Sequence, residues 1–426
     1  MLKVRALKGQ ICFSKDKDTL VTKPNAYLLY RGNEILGVFD HVPAEYADAE
    51  VQDYGNCLIL PGLVDLHIHA PQYSFRGLGM DMELLDWLNT NTFPEEARYR
   101  DLKYAKEAYR IFAQDMKKSA TTRACVFATR HVDSTLLLMN LMEKTGLKTM
   151  IGKVNMDRNA PDYLIESSVQ EALDETKDWL KKTHGKFNNV TPILTPRFTP
   201  ACSDDLMKEL GALREKYELP VQSHLSENRD EVAWVKELCP WSAFYGETYD
   251  KYGLFGGRNQ NTVMAHCVYS GEAEQRLMKE NGVFIAHCPE SNTNLASGIA
   301  PVRKYLDDGQ KVGLGSDVAG GSTESIFKAM VSAIQVSKLR WRLADESLKP
   351  LTVPEAFYMG TKGGGAFFGK VGSFEPGYEM DALIVDDSFL AWPKERNLRD
   401  RLERVIYLSD RCELRAKYTA GKNIFN

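Results

Sequence analysis

No stretch of this 426-residue chain approaches the roughly 18 consecutive apolar residues that a membrane-spanning helix needs. Its first residues, MLKVRALKGQICF, lack the apolar core of a secretory leader, so the expectation is a cytoplasmic protein with no membrane partner. Basic residues are not in excess either: 54 Lys and Arg against 58 Asp and Glu leave a formal charge of -4, which gives nucleic acid no electrostatic footprint. A small-molecule substrate fits better. The eight cysteines, at 12, 57, 125, 202, 239, 267, 288 and 412, never stand as C-x-x-C, which argues against a zinc knuckle or a disulfide framework. They read as buried, reduced thiols. Low-complexity tracts are missing, and no internal repeat exceeds the alternation described next.

What the chain does contain is a change of pattern at Pro61. Before it, residues 3–14, 26–40 (broken by the turn residues Gly32 and Asn33) and 57–60 read as strands with no long helix between them. After it, short apolar runs alternate with helical stretches, the mark of parallel βα units. The runs cover 63–69, 121–129, 148–156, 190–197, 219–224, 262–267, 283–288 and 311–317, about the eight that close a barrel. Helix-end signals lie between them, with Ser168 and Glu171 as a capping box and Gly146 as a stop after DSTLLLMNLMEKT. Beyond a helical stretch at 352–368, EMDALIVDD, RVIYLSD and ELRAKYTAGKNIF return to strand character. The prediction is an α/β protein with a distorted (β/α)8 TIM barrel at residues 61–370. A small β-sandwich would be built from residues 1–60 and 371–426, with the barrel as a long insertion.

Chemistry is suggested by what ends those runs. In PGLVDLHIHA, His67 and His69 are two apart and so share one face of a strand, where both imidazoles reach one ion. VQSHLSE, TVMAHC and KVGLGSD place His224, His266 and Asp317 at the tips of the fifth, sixth and eighth runs. Barrel active sites lie at the C-terminal ends of the strands, so these residues, far apart in sequence, converge there. VFIAHCP puts His287 at the seventh tip, where a structural role is as good a reading as a chemical one. His41, His131 and His184 carry no such signal; His184 in KKTHGK reads as a solvated helix end.

The motifs PGLVDLHIH, HLSE, AHCPESN and LGSDVAGG resemble the amidohydrolase superfamily. HAPQYSFRG, WLNTNTFPEEAR, TPRFTPACS, SHLSENRDEV and GSDVAGG narrow the resemblance to the guanine deaminases, from about Pro61 through the barrel, and GSFEPGYEMDALIVDD extends it into the tail. The resemblance implies a zinc-dependent barrel enzyme, commonly a homodimer, that hydrolyses guanine to xanthine and ammonia. It makes His67, His69, His224 and Asp317 the ligands of one Zn2+ per subunit, with Fe2+ as the alternative cation. His266 would hold the catalytic water or the oxyanion, and Glu227 would be the proton shuttle. Asp317 would take the water's proton, and Gln72, Arg197, Phe198, His224, Glu227 and Asp317 would contact the purine. Glu290 and Thr293 depart from the family pattern and bear on the shape of the pocket. Arg197 stands where binuclear relatives carry a modified lysine, which implies a single metal.

The chemistry needs these residue types. A bound zinc lowers the pKa of water from about 15.7 toward 7, on the order of 12 kcal/mol, more than one side chain supplies. Guanine offers two adjacent acceptors, O6 and N7, to the forked donors of an arginine. Two rival readings are the same chemistry on another ring, such as 8-oxoguanine, and a non-catalytic barrel of the same fold.

Overall fold

In the computed structural model, which describes residues 2–257, 261–390 and 392–425, the change of pattern at Pro61 is a change of architecture. The strands before it join those of the tail in one seven-stranded sheet. Its centre is the antiparallel pairing of Leu58 to Pro61 with Val385 to Ala382, where the two ends of the chain meet immediately before the barrel begins. The expected sandwich is thus one continuous sheet wrapped around its own core of Leu7, Ile11, Phe13, Leu28, Ile59 and Ile384. Each such buried side chain contributes about 1.5–3 kcal/mol of burial energy.

Two tail segments differ from expectation. RVIYLSD is not a strand but the end of a helix, Leu398–Tyr407, and the 3-10 turn after it. The helix starts upstream, where Asn397 accepts from the Asp400 amide, and it buries Leu398, Leu402, Val405 and Ile406 at helical spacing. The capping box at Ser168 is only half formed: Ser168 accepts from the Glu171 amide, but the Glu171 carboxylate turns to Ser167 instead. Gly146 adopts φ +81° after the helix Val132–Glu143, the left-handed turn a stop signal needs.

The barrel strands are Leu63–His69, Thr121–Phe127, Lys148–Gly152, Val190–Pro192, Val221–Leu225, Thr262–His266, Phe284–His287 and Lys311–Leu314. These eight, counted among the described residues, pair in parallel as two sheets of four. The sheets meet at two seams. One is made by Leu194 with Pro220 and Gln222. The other is made at the mouth itself, by Asp317 N to His67 O at 2.8 Å and His69 N to Val318 O at 3.1 Å. Two seams of so few bonds are what distort the barrel.

Inside, Val64, Leu66, Cys125, Ile193, Val263, Ala265, Phe284 and Ala286 fill the interior. Val64 and Leu66 point inward, yet Ile68 packs outward with the surrounding helices. A register shift between Asp65 and Ile68 exchanges the two faces, and it turns His67 and His69 toward the mouth. Gly315 on the loop after the eighth strand lies so close that a Cβ there would sit 2.9 Å from that of His67. Only glycine lets the backbones approach. Between the first strand and the helix Leu102–Lys118, short helical pieces at Leu84–Trp87, Leu88–Thr92 and Phe93–Ala97 form a cover over the mouth.

Candidate active site

Asp65 prepares the floor. Its carboxylate accepts from the His67 amide at 3.1 Å and from Ser316, through the amide at 3.0 Å and the hydroxyl at 2.5 Å, tying the first strand to the loop that carries Asp317. Above it the Nε2 atoms of His67 and His69 are 3.2 Å apart, and those of His69 and His224 are 3.3 Å apart. Asp317 Oδ1 lies 3.1 Å from His67 Nε2 and 3.4 Å from His69 Nε2. A tetrahedral cation with arms of roughly 2.1 Å needs donors about 3.4 Å apart, near the separations just given; His67, His69 and His224 form one group that could hold a divalent ion, and His67, His266 and Asp317 form a second that shares His67.

The protonation states agree with that fit. His224 Nδ1 is 2.6 Å from the Arg197 carbonyl oxygen, which can only accept, so Nδ1 carries the proton and Nε2 presents its lone pair to the cluster. Burial, and then the neighbouring His67, hold His69 and His224 well below the ordinary histidine range. Neutral imidazole is the ligating form. Burial pushes Asp317 up, but His67, His266 and His69 together outweigh it and hold the carboxyl below its usual range.

His266 leaves the sixth strand with φ +74°, and Asp317 adopts φ +46°. Left-handed backbone at non-glycine residues costs of order 1 kcal/mol or more, and here it aims both side chains inward. His266 Nδ1 is 2.8 Å from Asn292 Oδ1, so that ring proton is spoken for. Its Nε2 faces two carboxylates, Glu227 Oε2 at 3.3 Å and Asp317 Oδ2 at 3.7 Å. Glu227 stands on the turn before the helix Arg229–Leu238, whose N-cap is Asn228, and Ser297 donates to its Oε1 at 3.0 Å. Burial, and then the charge of Asp317, push Glu227 up to about 8. At neutral pH it carries a proton ready to give.

These groups bound a pocket that opens to solvent. Gln72, Arg197 and Phe198 line it together with His69, His224, Glu227, His266 and Asp317, and the cover adds the apolar walls Leu84, Trp87 and Leu88. Arg197 forms an ion pair, but a buried one: the residue is 3% exposed and bonds Glu96. His287 is buried and does not line the cavity, and its two ring nitrogens have no hydrogen-bond partner among the described residues. His184 is exposed at the end of the helix Val169–Thr183, and His41 is exposed as well.

Sequence reasoning missed Asn292, Ser297, Glu96 and Glu231. Glu231 lines the cavity, accepts from the Glu227 amide at 2.9 Å and from Tyr245 at 2.8 Å, and is pushed up to about 7 by burial and then by Glu227. Its sequence signals were its place inside SHLSENRDEV and its position three residues after Asn228 in a capping box.

A parallel barrel with a histidine-rich group at its strand tips that could hold a cation has the architecture of the metal-dependent hydrolases. The chain belongs to the amidohydrolase family, whose model matches residues 58–424. Within it, the chain is 35% identical to the guanine deaminase of Dictyostelium discoideum, over 99% of this chain and 98% of that protein. It is 36% identical to the guanine deaminase of Escherichia coli, over 88% and 84%. The crystal structure of guanine deaminase from C. acetobutylicum with guanine in its active site superposes with a TM-score of 0.95 at 48% identity, covering 99% of this chain and all of that one. No helix among the described residues is long and apolar enough to cross a membrane.

Proposed function

We propose that this chain is a guanine deaminase that hydrolyses guanine at C2 to xanthine and ammonia, with one zinc ion per subunit held by His67, His69, His224 and Asp317. The observation that supports the reading is two overlapping groups of ligand atoms, His67, His69 and His224, and His67, His266 and Asp317, beside a pocket lined by Gln72, Arg197 and Phe198, in a chain 48% identical to an enzyme crystallised with guanine. Iron(II) is the alternative cation for the same donors. The reading includes a cytoplasmic homodimer, and a catalytic unit at 61–370 flanked by the two parts of the sheet, 1–60 and 371–426.

When bound, the cation lowers the pKa of a water molecule toward neutrality and so supplies the nucleophile. Asp317 Oδ2, which lies 3.7 Å from His266 Nε2, takes a proton from the attacking water. His266, with its Nδ1 proton given to Asn292, accepts a hydrogen bond from that water through Nε2 and orients it. Attack at C2 makes that carbon tetrahedral and interrupts the ring's conjugation, moving the C2–N3 π pair onto N3, so N3 must gain a proton as the bond forms. Glu227 donates it, then carries the next proton to the amino group, which leaves as ammonia. Arg197 and Gln72 hold the ring's polar edge, and Phe198 packs against the purine.

The test is an ultraviolet assay for conversion of guanine to xanthine with ammonia release, run with metal content determined on the same sample. Turnover with one divalent ion per subunit is expected. Robust turnover of another aromatic amine such as 8-oxoguanine with none of guanine overturns the substrate. A sample without stoichiometric metal that gains no activity when a divalent ion is added overturns the enzyme.

A further inference from the structure

We infer that Glu96 sets the charge the pocket presents to its ligand, so that the site takes a neutral purine and disfavours an anionic one. The inference rests on the purine deaminase reading and adds to it a selection by charge. Glu96 is 1% exposed and sits on the one-turn helix Phe93–Ala97 that closes the cover. Arg197 Nη1 donates to Glu96 Oε2 at 2.5 Å and Nη2 donates to Oε1 at 3.1 Å, a two-pronged pair. Gln72 Nε2 donates to the same Oε1 at 2.9 Å. Phe93, three residues earlier, sets its ring 5.0 Å from the guanidinium carbon. One helical turn therefore grips Arg197 by edge and by face.

Two consequences follow for a ligand. First, a guanidinium is always charged, and a buried one without a counter-ion draws anions; here the charge is balanced before any ligand arrives. Glu96 uses two N–H directions of Arg197 and leaves the others as donors that carry no net attraction for an anion. Second, the Gln72 amide cannot flip, because its Oε1 accepts from the Ala319 amide at 3.2 Å while its Nε2 faces the Glu96 carboxylate. A neutral oxopurine with adjacent acceptors meets oriented donors. A purine anion meets the same donors with the Glu96 carboxylate directly behind them, so it gains no net charge attraction there. Xanthine is a stronger acid than guanine, so the product, once ionised, is held less well than the substrate.

The experiment compares competitive inhibition by hypoxanthine, which is neutral, and urate, a monoanion, at one neutral pH. Wild type, Glu96→Gln and Glu96→Asp are measured alongside guanine turnover and thermal melts. The wild type should prefer hypoxanthine. Glu96→Gln, which leaves Arg197 unbalanced, should shift the ratio of the two inhibition constants toward urate by on the order of tenfold or more and raise KM for guanine. Glu96→Asp, which keeps the charge, should restore the wild-type preference. A folded Glu96→Gln with an unchanged ratio overturns the inference, and so does a wild type that binds urate more tightly than hypoxanthine, a result that needs no variant. A wild type that turns over no guanine instead removes the reading beneath it.

Discussion

Replacing Ser297 with alanine removes a hydroxyl that donates to Glu227 Oε1 at 3.0 Å. Glu227 is raised to about 8 by burial first and by Asp317 second, and the Ser297 bond pulls in the opposite direction. A hydrogen bond to a charged acceptor contributes about 1.5–3 kcal/mol, but a hydroxyl can also rotate to accept from the protonated acid. Only about half of the bond therefore separates the two states, roughly 1.1 kcal/mol, which is a little under one pKa unit. Without the serine, Glu227 should hold its proton to roughly pH 9. In the proposed mechanism the protonated acid serves N3, so kcat/KM in the wild type should fall above about pH 8, and in Ser297→Ala that limb should move up by about one pH unit. The plateau should drop severalfold as the carboxyl loses a tether. Initial rates at subsaturating guanine from about pH 6 to about pH 10 measure both effects, and ionisation of guanine itself cancels between the two enzymes. A limb that stays in place or moves down, in a variant that melts like wild type, refutes the role given to Glu227.

Three further expectations concern other parts of the molecule. Glu227→Gln should keep its metal and lose on the order of a hundredfold or more in turnover, and near-normal rates would rule out the shuttle. His224→Ala should lose cation and activity together in metal analysis, since it removes a donor whose Nδ1 is pinned by the Arg197 carbonyl; full occupancy with full activity would remove its ligand role. Lys417 is fully buried where the sheet meets the barrel, donates to the carbonyls of Met116, Ser119 and Thr121, and is pulled down to about 7 by burial and then by the charge of Lys117. Between about 7 and 10.5 the unfolded chain binds the extra proton, so this group makes stability rise with pH across that window and leaves it flat on either side. Urea unfolding of wild type and Lys417→Met should show a difference that grows between about pH 7 and about pH 9, by at most ~1.4 kcal/mol per pH unit, and a constant difference would refute the depressed pKa.

What was legible in the sequence shares one physical property. His67, His69, His224, His266 and Asp317 each end an apolar run, and a polar residue at that place has few uses other than the mouth of a barrel. The residues that tune them have no such local mark. Asn292 and Ser297 act across 26 and 70 positions of sequence, and nothing short of the fold brings them to His266 and Glu227. Glu96 stands next to Glu95 in FPEEAR; one carboxylate turns in to Arg197 and the other binds Ser74 and Tyr104, a choice decided by the angle at which a single helical turn meets the barrel. RVIYLSD was misread for the opposite reason, because a seven-residue window hides the helical spacing that begins at Leu398.

The seam between the first and eighth strands gives these observations a common cause. Its bonds, Asp317 N to His67 O and His69 N to Val318 O, are made by the backbone of the proposed ligands themselves or of the residue next to them. The distances among His67, His69 and Asp317 are therefore set by the backbone bonds that tie the loop after the eighth strand to the first strand, and by the Asp65 brace beneath them. Cation binding and barrel closure act on the same few bonds, so a cation that binds the folded form stabilises the closed barrel by mass action, and a change that opens this seam weakens the site even where every ligand is present.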